Sequence, residues 1–544
     1  MRGQTRGSQQ GIDVEASATS QVIDAQPAAL RAGTVRWPLL LLVFAAALVP
    51  LLLTPVLPLI DFYNHIARIQ VLAGLDANPL FAANYAAAWA ILPNIGLDVI
   101  AVAALQVVPL AALPHLVAAL IAAVMFFGIL ALNRAVTGQT AWPAVLLAIP
   151  LLYSWIFNWG FVNFLLGLGL ALLAAAWWVQ QRRQPLLRLA VAMLLGLAVF
   201  FCHALAFGLY GILIAALEAG HWWQQPRRRL GDLAAGMGLC AVQAVLPAIL
   251  FMQSRTAAAA GGISNADESL VRLRAHGLLF DRLIELAALR VQTIVRVAEG
   301  PTYLADALWM AALVGVIGWA AARGALRLAP MVVPAVLAGM VLVAVMPPAL
   351  FGSGYVADRM PLFLAAVLAA GVMPGPAWGR TRALVPALAA LAGLRLVMVA
   401  LQWQGTAGDL ADFDLVASRL PPGQMMAGLS VSARPHEDMP NRCEMYPPLL
   451  LVRHGHAVPL FAIRAAQPLE LRGRLAAARD ELAARPAGPL SRGRPELVVS
   501  AFARAGYDYL LLCQTAADRP LPTTPYPIVA QAGRFRLLRL PGER

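Results

Sequence analysis

Residues 37 to 60, WPLLLLVFAAALVPLLLTPVLPLI, are almost wholly apolar, and they run directly into Asp61, Phe62, Tyr63, Asn64, His65, Ile66, Ala67 and Arg68. A run of that length is enough to cross the hydrocarbon core of a bilayer. An acid, an imidazole and a guanidinium at its end are costly near lipid, so they need partners or a task. If the stretch after the run is helical, Asp61, His65 and Arg68 fall at i, i+4 and i+7 on one face. Phe62, Ile66 and Ile69 then fall on a neighbouring face. The pattern predicts a short helix lying at the membrane interface and presenting one polar stripe.

The alternation of apolar runs and short polar gaps continues to about residue 402. With 60% hydrophobic and 13% charged residues, the 544-residue chain lies far from the soluble average of about 25% charged. It is a polytopic membrane protein. The net charge of +13 is carried by arginine, with no lysine, and nucleic acid is excluded as its reason by where the arginines sit. They cluster between apolar segments, at Arg182, Arg183 and Arg188, at Arg227 to Arg229, at Arg323 and Arg327, and at Arg380 and Arg382. That is the positive-inside pattern of short cytoplasmic loops. Twelve apolar segments can be counted, among them 97–112 and 115–132, yet twelve do not alternate correctly with the arginine loops. One segment between 58 and 140 is therefore missing or misread. Thirteen spans would put residues 403–544 outside and twelve would leave them inside; the reading taken is thirteen.

The domain reading follows. Residues 1–36 form a polar cytoplasmic tail with the composition of a disordered segment. The first apolar run is too long for a signal peptide and lacks a small-residue cleavage site, so it reads as a retained span. Residues 37–402 form the membrane domain, with outer loops 58–96, 252–300 and 347–360. The loop 252–300 carries an amphipathic helical pattern over Ser269–Glu299. From 403 to 544 charges and prolines rise and apolar runs shorten to strand length at Leu449–Val452 and Tyr509–Cys513, with a helix at Leu475–Ala484. The fold class is mainly α: a helical membrane domain of about 12–13 spans with a small C-terminal α/β or α+β soluble domain, read as periplasmic. Cys202 and Cys240 lie in apolar segments as packing residues. Cys443 and Cys513 both lie in the C-terminal domain and can form one disulfide if it is periplasmic.

With that topology, polar groups from four separate segments converge on the outer face: Asp61, His65 and Arg68; Asn158 and Asn163; His203; and Tyr355, Asp358 and Arg359. Each has a purely structural alternative. His203 could be a hydrogen-bonded packing residue, Asn158 and Asn163 could cap helix ends, and Arg359 could anchor a helix at the headgroups. Together they suit glycosyl transfer from a lipid-phosphate donor. A carboxylate takes the acceptor's proton as general base, and arginines bind the phosphate that leaves. His65 or His203 could hydrogen-bond phosphate or ligate a divalent cation, and the sequence leaves both open. No GxxxxGK[ST], GxGxxG after a strand, or HExxH is present, so a soluble nucleotide donor is not indicated.

These features resemble the GT-C superfamily of polytopic glycosyltransferases. The resemblance covers roughly 37–400 and is carried by PLIDFYNHIARI after the first span, by NWGFVNFLLG and CHALAFG, by GSGYVADRMP in a late loop, and by the C-terminal domain. It implies a polyprenyl-phosphate sugar donor, a lipid or glycan acceptor, and a place in the bacterial inner membrane. It implies Asp61 as the catalytic base, with Arg68 and Arg359 near the donor phosphate and His65, Asn158, Asn163, His203 and Tyr355 as further substrate-binding groups. The family usually carries an acidic pair in the first outer loop. Here Asn64 and His65 stand beside Asp61, and the next acid is Asp76. Two other classes remain open: a transporter or flippase for a lipid-linked or small polar substrate, and a non-catalytic membrane assembly protein.

Overall fold

The computed structural model describes residues 35–259, 287–288, 290–298, 300, 303–350, 354–431, 442–460, 466–485, 495–515 and 523–542. The tail 1–34 and most of the Ser269–Glu299 pattern lie outside these residues.

Seven helices are long and apolar enough to cross a membrane: Leu113–Thr137, Val162–Gln180, Pro185–Cys202, Ala204–Gln224, Leu230–Gln253, Tyr303–Ala322 and a continuous helical run, Leu384–Ala417. Three shorter apolar helical stretches accompany them, at Trp37–Ala47, Trp142–Asn158 and Pro330–Val345. With Val356–Gly371 these make eleven apolar passes among the described residues. The run at 97–112 is not among them. It forms the nine-residue helix Gly96–Ala104 and then breaks into turns. This is the segment that spoiled the alternation. Without it, an odd number of passes puts the arginine clusters at 182–188, 227–229, 323–327 and 380–382 at one end of the bundle and Asp61, Asn163, His203, Tyr355 and the C-terminal domain at the other.

The helices meet closely where glycine lets them. A Cβ at Gly128 would lie 2.6 Å from the Gly169 carbonyl oxygen, and one at Gly169 would lie 2.7 Å from the Val124 carbonyl carbon. Small residues at such crossings are what allow backbones to pack within a membrane. At the arginine end a short antiparallel ladder pairs β2 (Leu326–Leu328) with β3 (Val372–Pro374), and Asn133 donates to the Ala370 and Val372 carbonyls. Glu218 there is buried against Arg182, Arg188 and the indole of Trp178.

The C-terminal domain is α/β. Its sheet runs β4 (Met426–Val431), β6 (Tyr509–Gln514), β8 (Phe535–Arg539), β7 (Ile528–Ala532), with β4 and β6 parallel and the other pairs antiparallel. The expected strand at Tyr509–Cys513 is β6, and the expected helix is Gly473–Ala484. Leu449–Val452 is not a strand. It lies in the helix Tyr446–His454, where Pro447 and Pro448 pre-set the first turn and Gly455, at φ 70°, ends it. Cys443 and Cys513 are disulfide-bonded.

The domain is tied to the first loop rather than hung from the last helix alone. β1 (Tyr85–Ala87) pairs antiparallel with β5 (Leu469–Leu471), and the Tyr85 hydroxyl donates to the Val458 carbonyl at 2.7 Å. Arg255 reaches across to Glu470 and the Ala88 carbonyl.

Replacing Gly169 with Leu should force the two helices apart and cost about 1–3 kcal/mol. Thermal unfolding of the purified protein in detergent would show this as a lowered midpoint, and an unchanged midpoint would mean that the crossing is not close.

Candidate functional site

Asp61 is placed by backbone as much as by its helix. The Ile60 and Asp61 N–H groups donate to the carbonyls of Asn158 (3.1 Å) and Trp159 (2.9 Å). Gly160 follows at φ 78°, and a Cβ there would fall 2.4 Å from the Phe62 nitrogen. Only glycine fits both the conformation and the space. The helix Phe62–Gly74 then carries His65 and Arg68 on the face with Asp61.

That helix does not lie at an interface. Nine of its residues are buried, on both its polar and its apolar sides. The helices Gly96–Ala104 and Tyr446–His454 pack against it. Covering protein, rather than headgroup water, is what makes the polar stripe tolerable. Arg68 forms a bidentate pair with Asp98, Nε to Oδ1 at 2.7 Å and Nη2 to Oδ2 at 3.0 Å. Nη2 also lies 2.8 Å from His65 Nδ1. A guanidinium can only donate, so Nδ1 is the acceptor and the ring hydrogen sits on Nε2. His65 Nε2 is 3.5 Å from Asp61 Oδ2, and Asn64 donates to Asp61 Oδ1 at 3.1 Å.

A cavity of about 760 Å³ opens beside Asp61. Of the residues singled out from the sequence, Asp61, His65, Asn163, His203, Tyr355 and Arg359 line it. Arg68 and Asn158 do not. Arg68 stands behind His65, taken up by Asp98. Asn158 lines a much smaller pocket with Gln402, Trp403 and Arg442, and its carbonyl supports Ile60. Asp358 turns away to Arg296, at 2.6 Å. Asn163 also braces the cavity wall, accepting from Leu97 N and donating to the Asn94 carbonyl, both at 3.0 Å.

His203 caps the helix Ala204–Gln224, its Nδ1 accepting from the Leu205 N–H at 3.1 Å. The ring hydrogen is then on Nε2, and Arg359 Nη1 lies 3.1 Å from that atom. Two donors meet there with no acceptor between them. Arg359 Nε also has no hydrogen-bond partner among the described residues, while its guanidinium lies over the rings of Phe161 and Phe164. Desolvation first, then Arg359 and His65, push the His203 imidazole well below its ordinary pKa, so it is a neutral donor. Tyr355 precedes the Arg359 helix at φ 57°, the one non-glycine residue in the left-handed region among those described, with its ring 4.6 Å from Trp159. Backbone held in that region is strained and persists where its surroundings impose it.

The rest of the cavity is apolar. Phe200, Phe207, Gly208, Ala244, Pro247, Ala248 and Phe251 form an arm between helix ends. Val245, Leu246, Ile249 and Met252 on the same helix face outward from the bundle. Two acids escaped the sequence reading. Asp98 left a signal, a lone carboxylate in an apolar run. Glu444, which also lines the cavity, left none, because it arrives from the C-terminal domain. Among the described residues no group of three or more His, Cys, Asp or Glu side chains gathers as a metal cluster.

Fold and site thus define a multi-pass membrane protein with a cavity that joins a polar end, holding a guanidinium, imidazoles and carboxyls, to an apolar arm. No family model matches the chain, and no curated protein matches it. Solved structures are similar to it, two of them of one protein. One is ArnT from Cupriavidus metallidurans bound to undecaprenyl phosphate, at 14% identity and a TM-score of 0.47, covering 92% of this chain and 97% of that one. The other is the same protein in the apo state, at 13% identity and a TM-score of 0.46, with the same coverage.

Asp98→Ala should cost about 3–5 kcal/mol, because it leaves Arg68 buried and unpaired. Reduced abundance of folded protein in membranes would show it. Pairing it with Arg68→Met should restore much of the abundance, and failure of that rescue would mean that the pair's charges do not carry the effect.

Proposed function

We propose that the protein is a GT-C-type glycosyltransferase that moves a sugar from a polyprenyl-phosphate donor to an envelope acceptor, at the outer face of the bacterial inner membrane. The observation that carries this reading is the pair of facing donors, His203 Nε2–H and Arg359. An oxygen of a phosphate accepting from both would relieve the clash between them and would use the strong charge-assisted bond that a guanidinium makes.

In this reading the phosphate sits at Arg359 and His203, and the polyprenyl tail follows the apolar arm toward lipid. Asp61 accepts the proton of the acceptor's nucleophile as it attacks the anomeric carbon, and the sugar–phosphate bond breaks. The negative charge that develops on the leaving phosphate is met by Arg359, whose charge is already in place before reaction. His65, held by Arg68 in the Nε2–H form, turns a donor toward Asp61 and fixes its carboxylate. Arg68 therefore acts through His65, as a positioning residue. Sidedness has two supports: the arginine loops at the far end of the bundle, and the Cys443–Cys513 disulfide, which suits an oxidising compartment. Polar groups drawn from one end of the bundle favour transfer at one face over alternating access.

Asp61→Asn should lower transfer by at least about 10²-fold with normal membrane abundance. Arg359→Ala should weaken binding of polyprenyl phosphate. The check is mass spectrometry of envelope glycans and glycolipids from a deletion strain complemented with each variant, together with lipid binding by the purified protein. Full complementation by Asp61→Asn would remove Asp61 as the base.

A further inference from the structure

Glu444 reaches the cavity from the opposite end of the chain to Asp61. It sits half-buried on the 3-10 turn Arg442–Met445 and lines the cavity wall. Three separate contacts hold that turn in place. Cys443, its neighbour, is disulfide-bonded to Cys513 on β6. Pro447 is seated on Gly428 of β4 so closely that a Cβ at 428 would fall 2.1 Å from Pro447 Cγ. The helix Tyr446–His454, which continues the turn, packs on the helix that begins at Asp61.

Among the described residues the Glu444 side chain has no hydrogen bond or ion pair. Burial, and then the charge of Asp61, raise its carboxyl above the ordinary range. Tyr355 is its other electrostatic neighbour at the cavity. A half-buried carboxyl without a partner is unfavourable to the fold. A disulfide, a glycine contact and a helix seat nevertheless converge to keep it in the cavity. A purely structural group would be bonded to what it supports.

We propose that Glu444 binds the acceptor. Its carboxyl hydrogen-bonds hydroxyls of a sugar or polyol and holds the attacking oxygen against Asp61. This rests on the transferase reading and extends it. The corner of Arg359 and the neutral donor His203 takes the donor phosphate, and the Asp61–Glu444 corner takes a hydroxylated acceptor. The C-terminal domain thereby completes the site. Glu444 breaks and forms no covalent bond, and the proton leaves the acceptor for Asp61.

The test uses the full-length protein in nanodiscs, a panel of polyprenyl-phosphate hexoses as donors, and the lipid and glycan extract of a deletion strain as acceptor. Glu444→Ala should raise the amount of extract needed for half-maximal transfer by at least about tenfold, as expected for loss of a charge-assisted hydrogen bond. Polyprenyl phosphate binding should stay within twofold of wild type. Glu444→Asp, which keeps the chemistry but shortens the reach, should also raise the half-saturation point, and it carries the test if the Ala variant fails to form the Cys443–Cys513 disulfide. An unchanged half-saturation point in the folded variant, or parallel loss of polyprenyl phosphate binding, would overturn the proposal. Wild-type protein that neither binds polyprenyl phosphate nor transfers sugar would overturn the transferase reading itself, and this proposal with it.

Discussion

The pair of Arg68 and Asp98 is the contact on which the outer half of the molecule depends. Both side chains are essentially without solvent, at 1% and 0% exposure. Neither could stay charged there alone, since an isolated buried ion costs several kcal/mol or more. The bidentate geometry and the third contact to His65 satisfy them together. One pair thus does two things. It ties the helix Gly96–Ala104 to the helix Phe62–Gly74, and it sets the tautomer of the imidazole beside Asp61.

Around that pair the cavity is assembled from pieces far apart in sequence. Asp61 hangs on backbone bonds to the 158–159 turn, made possible by Gly160. His203 and Arg359 come from the starts of two different helices, and Glu444 from the C-terminal domain. The strand pairing of β1 with β5 joins that domain to the first loop, so the wall carrying Glu444 and the wall carrying Asp61 belong to one unit. The two corners differ in kind. Arg359 and His203 are donors left facing each other, whereas at the other corner burial and then the charge of Asp61 raise the Glu444 carboxyl above its ordinary range.

Much of the architecture was legible in the chain. Apolar runs bounded by arginines can only be membrane helices, and the shift in composition near 403 marks a different kind of domain. The convergence of Asp61, His65, Asn163, His203, Tyr355 and Arg359 also follows from alternation, since residues at the same end of successive passes must share a face of the bundle. Where the reading failed, it failed for lack of partners. Arg68 looks like a phosphate ligand until Asp98 is seen beside it, and Asn158 looks like a cavity residue until its carbonyl is found under Ile60. Leu449–Val452 reads as a strand because so short an apolar run has no period of its own, and Pro447, Pro448 and Gly455 decide for a helix.

The sequence by itself determined that this is a helical membrane protein with a soluble C-terminal domain, and which residues gather at its polar end, because hydrophobic length and charge placement act locally and need no knowledge of contacts. Only the tertiary structure decided which charges are spent on one another and which are left facing the cavity. Arg68 and Asp98 stand 30 positions apart and neutralise each other, while Asp61 and Glu444, from opposite ends of the chain, remain open to a ligand. Pairing is a property of distance in space, and no local pattern carries it.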